Sequence, residues 1–419
     1  MKSIKSTYVN NNILLLHRWV VCLLPFCIVL GPFLADLFAI ISSLLFVYIT
    51  YTSRNWYYYK SRLFLIFNIW CLYLIISSLL STDPLFSLES SLLHFRYGLF
   101  ALSLWYIFEN DQLAKKYFTI SFLILFLFLL MDGYYQYFTG YNIFGSPYNY
   151  SSSRLTGLFG DNWVIGNFLS RTLPILFALI VMSFSYSKKT ISLMMFMLIS
   201  TDVLIYLSGE RSAFISLILG SIIIIILSNN WKLVRAITLI LSSILIIFIS
   251  VTDNKLKERM IDQTFNQTNF LGDTYIPDHE LLFKSAFNMF LDSPIYGVGP
   301  KMFRKLCHKE RYYFEFESYN SCSTHPHHSY LQLLAETGLL GTLPVIFLFI
   351  AISLILIRHF IRKIFDSGPI LTDIQICLYT AIIITLWPLN VNMNFFGNWM
   401  NVIYFLPIGI LFSTYKKGI

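Results

Sequence analysis

Charge is scarce in this chain. Only 12% of its 419 residues are Asp, Glu, Lys or Arg, whereas 56% are hydrophobic and 18% aromatic. That balance excludes an ordinary soluble domain, in which about a quarter of residues are charged, and leaves an integral membrane protein. Long polar tracts are also missing: residues 251–329 form the one stretch long enough to build a unit outside a bilayer. There is no low-complexity segment and no repeat of solenoid period, which excludes linker-rich chains and stacked-repeat architectures. The first apolar run lacks a small-residue cleavage site and passes directly into a second. It reads as a retained signal-anchor and not as a removed signal peptide.

Cysteine is limited to six residues. Cys22, Cys27, Cys71 and Cys377 fall in apolar runs, where a thiol behaves as a small hydrophobe; Cys307 and Cys322 share the polar stretch. A bridge between these two closes a loop of about 15 residues, worth about 3 kcal/mol in the chain-entropy account; two free thiols are the alternative. A second set of Cys or His ligands at finger-like spacing is absent from the sequence, which weighs against a zinc site.

What is abundant is apolar sequence in runs of about 20 residues, the length that crosses about 30 Å of hydrocarbon as a helix. Twelve such runs are present, at about 13–30, 32–51, 63–81, 92–108, 117–138, 163–187, 190–208, 211–228, 233–251, 330–357, 371–390 and 398–415. The predicted fold class is an all-α integral membrane protein of about twelve transmembrane helices. Residues 1–251 hold nine spans, 252–329 a long loop between helices 9 and 10, and 330–419 the last three.

The net charge of +8 reports topology rather than a nucleic-acid partner. Alternate connections carry Lys2 and Lys5; Arg54, Lys60 and Arg62; Lys115 and Lys116; Lys188 and Lys189; Lys232 and Arg235; Arg358, Arg362 and Lys363; Lys416 and Lys417. Basic connections mark the cytoplasmic side, so both termini are expected there and the long loop, exempt by its length, lies outside. In that oxidising compartment a disulfide between Cys307 and Cys322 is expected.

Four arginines break the pattern. Arg96, Arg154, Arg171 and Arg211 fall at or near the outward face, where an unpaired cation in lipid is costly. They make a candidate anion site. Arg211, in LSGERSAF at a helix start, suits a phosphate or diphosphate, although a pair with Glu210 is the alternative reading. Arg154 and Arg171 flank a Gly- and Asn-containing segment expected to line a cavity. Asp161 and Glu336 are acid candidates by position alone.

Three of the eight histidines fall within HPHHSYLQ, residues 325–332, where the polar stretch meets the tenth apolar run. Pro326 disfavours helical backbone at His325. His327 is therefore expected at or just before a helix amino terminus, whose dipole keeps an imidazole neutral and able to act as a general base. Interfacial hydrogen bonding is the plain alternative. Upstream, a helix is expected near His279–Leu291, with Leu282, Ala286, Met289 and Phe290 on its apolar face. A Pro294, Gly297, Gly299, Pro300 turn cluster follows, so the loop reads as a folded lid.

The string THPHHSYLQLLAETGLLG, Thr324–Gly341, resembles the signature of the O-antigen ligase family of bacterial membrane glycosyltransferases, in which a histidine precedes a Gly-x-x-Gly helix. RLTGLFGDNWVIGNFLSRTLP, SGERSAF and SPIYGVGPKMF are similar as well, and the resemblance covers roughly Tyr135–Gly341. It places the family's essential histidine on His327 and its glycines on Gly338 and Gly341. His328 stands where the family usually has Asn, and a loop arginine of some ligases falls at His279. The resemblance implies a GT-C-like protein of the bacterial inner membrane. It would transfer a glycan from undecaprenyl diphosphate to a lipid A-core sugar at the periplasmic face, inverting and without metal or other cofactor. His327 would be the catalytic base, and Arg211, Arg154, Arg171, His325, His328 and His279 would contact diphosphate or glycan. The alternatives are an O-antigen polymerase of the same superfamily, a protein O-oligosaccharyltransferase, and a lipid-linked sugar flippase.

Overall fold

The computed structural model describes residues 11–264, 277–316, 318–365 and 368–415. Lys2, Lys5, Lys416 and Lys417, used above to assign topology, lie outside the described residues. The chain is helical. In order come α1 (Asn11–Leu30), α2 (Pro32–Thr52), α3 (Arg62–Leu79), α4 (Pro84–Ser91), α5 (Arg96–Asn110), α6 (Gln112–Thr139), α7 (Ile165–Ser183), α8 (Lys188–Leu207), α9 (Arg211–Leu227) and α10 (Lys232–Thr252). Then follow α11 (Asn254–Lys257) with a π-helical turn at Glu258–Asp262, α12 (Pro277–Asp292), α13 (Phe303–Leu306), α14 (Ser329–Ile364), α15 (Asp373–Thr385) and α16 (Asn398–Phe412). A two-stranded antiparallel ladder pairs Glu315 with Asn320 and Phe316 with Tyr319.

Every expected apolar run holds a helix, because within hydrocarbon only a helix satisfies its own backbone polar groups. Among the described residues eight are long and apolar enough to cross a membrane: α1, α2, α3, α6, α7, α8, α10 and α14. α9, α15 and α16 are apolar but shorter, and α5 has 15 residues. Helix α7 is central: 83% of its apolar window is buried, against 28–56% for the other seven. Residues on such a helix face neighbours all round.

Two findings add to the expected architecture. Arg235, assigned to an inward connection, is buried inside the helical body and donates to Asp202 at 2.7 Å, while Ser242 donates to the same carboxylate at 3.0 Å. The tenth apolar run is also not one straight span. Gly338 takes φ 61° and ψ −166° and divides α14. At that break Leu339 and Leu340 donate their N–H groups to the carbonyls of Pro294 and Ile295, and Val298 and Gly299 donate to Ala335 and Glu336. The lid thus supplies the partners that a helix interruption orphans, and a side chain at 338 would fall on the Ile295 carbonyl.

The lid has its own core, in which Leu282, Ala286 and Met289 of α12 pack on Met302, Phe303, Leu306, Cys307, Tyr312 and Ala335. Phe290 is only partly buried. Cys307 and Cys322 are joined by a disulfide, with Cα atoms 5.2 Å apart. Lys301 pairs with Glu89 and Lys305 with Asp83, both ammonium groups lying over Phe86 of α4.

Candidate functional site

The histidine segment is an irregular turn leading into α14. His328, not His327, is the N-cap: its Nδ1 accepts the Leu331 N–H at 3.2 Å. An imidazole thereby fills the role that Asn side chains commonly take at this position. His327 precedes the cap with φ 55°, a left-handed conformation uncommon for a residue with a Cβ. Its ring lies 4.1 Å from that of His325 and 5.6 Å from that of His279 on α12. The ring of His328 turns instead to Phe283 at 5.4 Å. So His279, His325 and His327 meet, and His328 supports the turn from beneath.

His325 donates to or accepts from Thr324 Oγ1 at 2.9 Å. Burial, helped by the adjacent His327, pushes its imidazole down to about 3. Burial likewise lowers His328. Both rings are neutral near pH 7.

A second group of residues forms where α9 begins. Leu155 donates its N–H to the Ser208 carbonyl at 3.3 Å, which docks the α6–α7 loop onto the α8–α9 turn. Gly209, at φ 70°, permits this approach, since a Cβ there would collide with the Ser153 carbonyl. Glu210 caps nothing in its own helix. Its carboxylate accepts the Gly166 N–H at 2.7 Å and the Asn167 N–H at 3.2 Å, at the amino terminus of α7. Burial raises this carboxyl to about 7 against the opposing pull of Arg154 and these hydrogen bonds.

Around Glu210 stand three guanidinium groups. Arg154 donates to the Trp163 carbonyl at 3.1 Å, with its guanidinium 5.0 Å from the Trp163 ring centroid. Arg259, on the π-helical turn, donates to the Gly209 carbonyl at 3.3 Å. Burial first, then the like charges of Arg211 and Arg154, push Arg259 down to about 10. It stays protonated near pH 7, but its interaction with two other arginines marks the three as one cationic cluster. Sequence reading missed Arg259, because charges in a long loop carry no topological signal and eight other cations surround it there.

Arg171 is placed differently. It is 1% exposed on the central helix and donates to Asn392 Oδ1 at 2.5 Å. Asn392 in turn donates its main-chain N–H to the His327 carbonyl at 2.8 Å. Glu210 acts on Arg171 electrostatically, so Arg171 stands between the arginine cluster and the histidines. Arg96 belongs to neither group: it forks onto Asp36 at 2.9 and 3.1 Å. Asp161 is exposed. Glu336 is buried and accepts the Phe303 N–H at 3.1 Å and the Gln332 side chain at 3.0 Å, so it ties lid to helix.

Cys307, His308 and Cys322 place potential ligand atoms close together, yet the two sulfurs are bonded to each other. A cavity of about 350 Å³ lined by Asn229, Asn230, Trp231 and residues 369–374 lies by the carboxyl end of α9, the end remote from Glu210.

These features define a polytopic membrane protein with a cation-rich, histidine-bearing site built from loops and helix ends. Residues 193–346 match the family described as O-antigen ligase, whose proteins are glycosyltransferase-like membrane enzymes, and over that stretch the chain is similar to them. The match includes Arg211, Arg259, His279, the histidine turn and Gly338, and leaves out Arg154, Arg171 and Asn392. A search of curated proteins returns no match.

Proposed function

We propose that this protein is an O-antigen ligase, transferring a glycan from undecaprenyl diphosphate to a hydroxyl of a lipid A-core sugar at the periplasmic face of the bacterial inner membrane. In this reading the chain crosses the membrane twelve times with both termini cytoplasmic. Residues 1–251 and 330–419 are the membrane-embedded parts of a GT-C-like fold, and 252–329 are the periplasmic lid.

One observation carries the reading: the guanidinium groups of Arg154, Arg211 and Arg259 act on one another as one cationic cluster, and two of them, Arg154 and Arg259, also act on the buried carboxylate of Glu210. Three forked donors gathered at one place suit a diphosphate. Diphosphate departs from an anomeric carbon readily once its charge is offset, so stabilising the leaving group is the main electrostatic task. His327 takes the proton of the acceptor hydroxyl as the new C–O bond forms and the bond to the phosphate oxygen breaks. Attack opposite the leaving group inverts the anomeric centre. His279 and His325 flank the base, and His328 fixes its helix.

The test is the lipopolysaccharide banding pattern of a deletion strain. Loss of all capped material with long lipid-linked glycan accumulating is the expected result. Lipopolysaccharide bearing a single repeat would assign the chain as a polymerase. Carrier retained on the cytoplasmic side would make it a flippase, and loss of glycan from protein alone would make it a protein O-oligosaccharyltransferase. His327→Ala, inserted normally, is expected to reproduce the deletion pattern.

A further inference from the structure

The connection between α15 and α16, Leu386–Gly397, lies outside the family-matched stretch, yet it touches both the histidine turn and the start of α14. Tyr330 donates its hydroxyl to the Leu386 carbonyl at 2.8 Å. Phe395 donates its N–H to Gln332 Oε1 at 2.9 Å. Three asparagines at every second position each reach a different element. Asn390 donates to Ser216 Oγ of α9 at 2.8 Å. Asn392 joins His327 and Arg171, and Asn394 Oδ1 accepts from Gln332 of α14 at 2.7 Å. All three are polar residues in an apolar part of the chain, and Asn390 and Asn392 are buried.

We propose that this connection is a clamp that sets the conformation of His327, with Asn392 as its positioning residue and Arg171 as the cation that holds Asn392. The geometry assigns Arg171 to the clamp and not to the donor. At φ 55° the backbone of His327 is in a region that L-residues leave unless something holds them. The Asn392 N–H fixes the peptide unit on the carboxyl side of His327. Arg171 fixes Asn392 from the other side through a charge-assisted bond to its side-chain oxygen. Loss of that anchor frees the connection to shift and lets His327 relax to ordinary backbone angles, which swings its ring away from His279 and His325.

The proposal rests on His327 acting as the base, and its test separates the two. Full-length protein is assayed with undecaprenyl-diphosphate-linked glycan extracted from a strain lacking the gene and with lipid A-core from the same strain. Asn392→Ala is expected to lower kcat by about a hundredfold, the usual penalty for a misplaced catalytic group, with donor KM unchanged. Asn392→Asp, which keeps the oxygen facing Arg171, is expected to restore most of that loss. The Asn392→Ala/Arg171→Met double variant should be no slower than the worse single variant, as for two groups acting through one link.

In parallel, carbethoxylation of His327 without substrate is followed by mass spectrometry. Its rate should change in Asn392→Ala and return in Asn392→Asp, whether or not the protein transfers glycan. An unaltered rate in Asn392→Ala with unaltered thermal unfolding overturns the clamp. So does a raised donor KM with intact kcat in Arg171→Met, which makes Arg171 a donor ligand. Altered His327 reactivity in Asn392→Ala, alongside wild-type protein that transfers nothing, upholds the clamp and removes the ligase reading.

Discussion

Glu210 holds Asn167 twice, accepting its main-chain N–H at 3.2 Å and its side-chain amide at 2.5 Å. A carboxylate committed to the start of α7 acts on Arg154 and Arg259 of the arginine cluster, and burial brings it to about 7. Below that pH the carboxyl is protonated and the arginine charge is unopposed; above it the anion offsets part of that charge. Arg259, at about 10, stays cationic throughout. Donor KM is therefore expected to rise as pH increases through about 7, by an amount on the order of threefold to tenfold for one partly screened charge. In Glu210→Gln this dependence should vanish. A KM profile of the same slope in both proteins would remove Glu210 from the donor site.

Removing a single guanidinium from the cluster should weaken donor binding more than it slows the chemical step. A hydrogen bond to a charged group is worth about 1.5–3 kcal/mol, or about ten- to a hundredfold in affinity. Arg259→Gln is expected to raise donor KM by that factor. Arg211→Lys should already impair transfer, since a point charge does not replace a forked donor. Kinetics with extracted donor decide it: a normal KM in Arg259→Gln would show that the π-helical turn serves only the fold.

Much of the helix inventory was legible, because apolar runs of bilayer length have one way to satisfy their backbones. The lid helix was legible from Leu282, Ala286 and Met289, spaced for one face. What sequence order hides is any feature whose cause lies far along the chain. The break at Gly338 depends on carbonyls of Pro294 and Ile295. Arg235 looks like a loop cation until Asp202, 33 residues earlier, is seen to face it. Asn392 gains meaning only when folding brings it to His327, although asparagine at 390, 392 and 394 in greasy sequence was a visible signal. His327 does fall just before the start of α14, as the sequence indicates, but the capping role of His328 was not legible, since an imidazole is not weighed as an N-cap.

Gly338→Ala tests the joint between lid and helix. At φ 61° and ψ −166° the backbone lies in a region essentially confined to glycine, at a cost of about 1–3 kcal/mol for another residue, and the added methyl also meets the Ile295 carbonyl. A lower unfolding temperature in detergent together with lost transfer is expected. Unchanged stability would mean that the lid does not depend on the break.

The Asp202–Arg235 pair, with side chains 0% and 2% exposed, joins α8 to α10. Asp202→Leu or Arg235→Met alone leaves a buried charge unmatched, at a cost of about 3–5 kcal/mol, whereas the double variant removes both charges and is expected to recover most of it. Thermal unfolding of the three proteins measures this. A double variant no better than the singles would show that Ser221 and Ser242, which also bond to the pair, need its charge.

The residue that holds the His327 carbonyl is made about 65 positions after it. When Ser329 and the helix after it have been made, Asn392 is still to come, so His327 lacks the N–H that holds its carbonyl. On the proposed clamp, competence comes only once the connection between α15 and α16 is in place, and a chain cut short behind residue 346 would carry the whole matched stretch and be expected to stay idle.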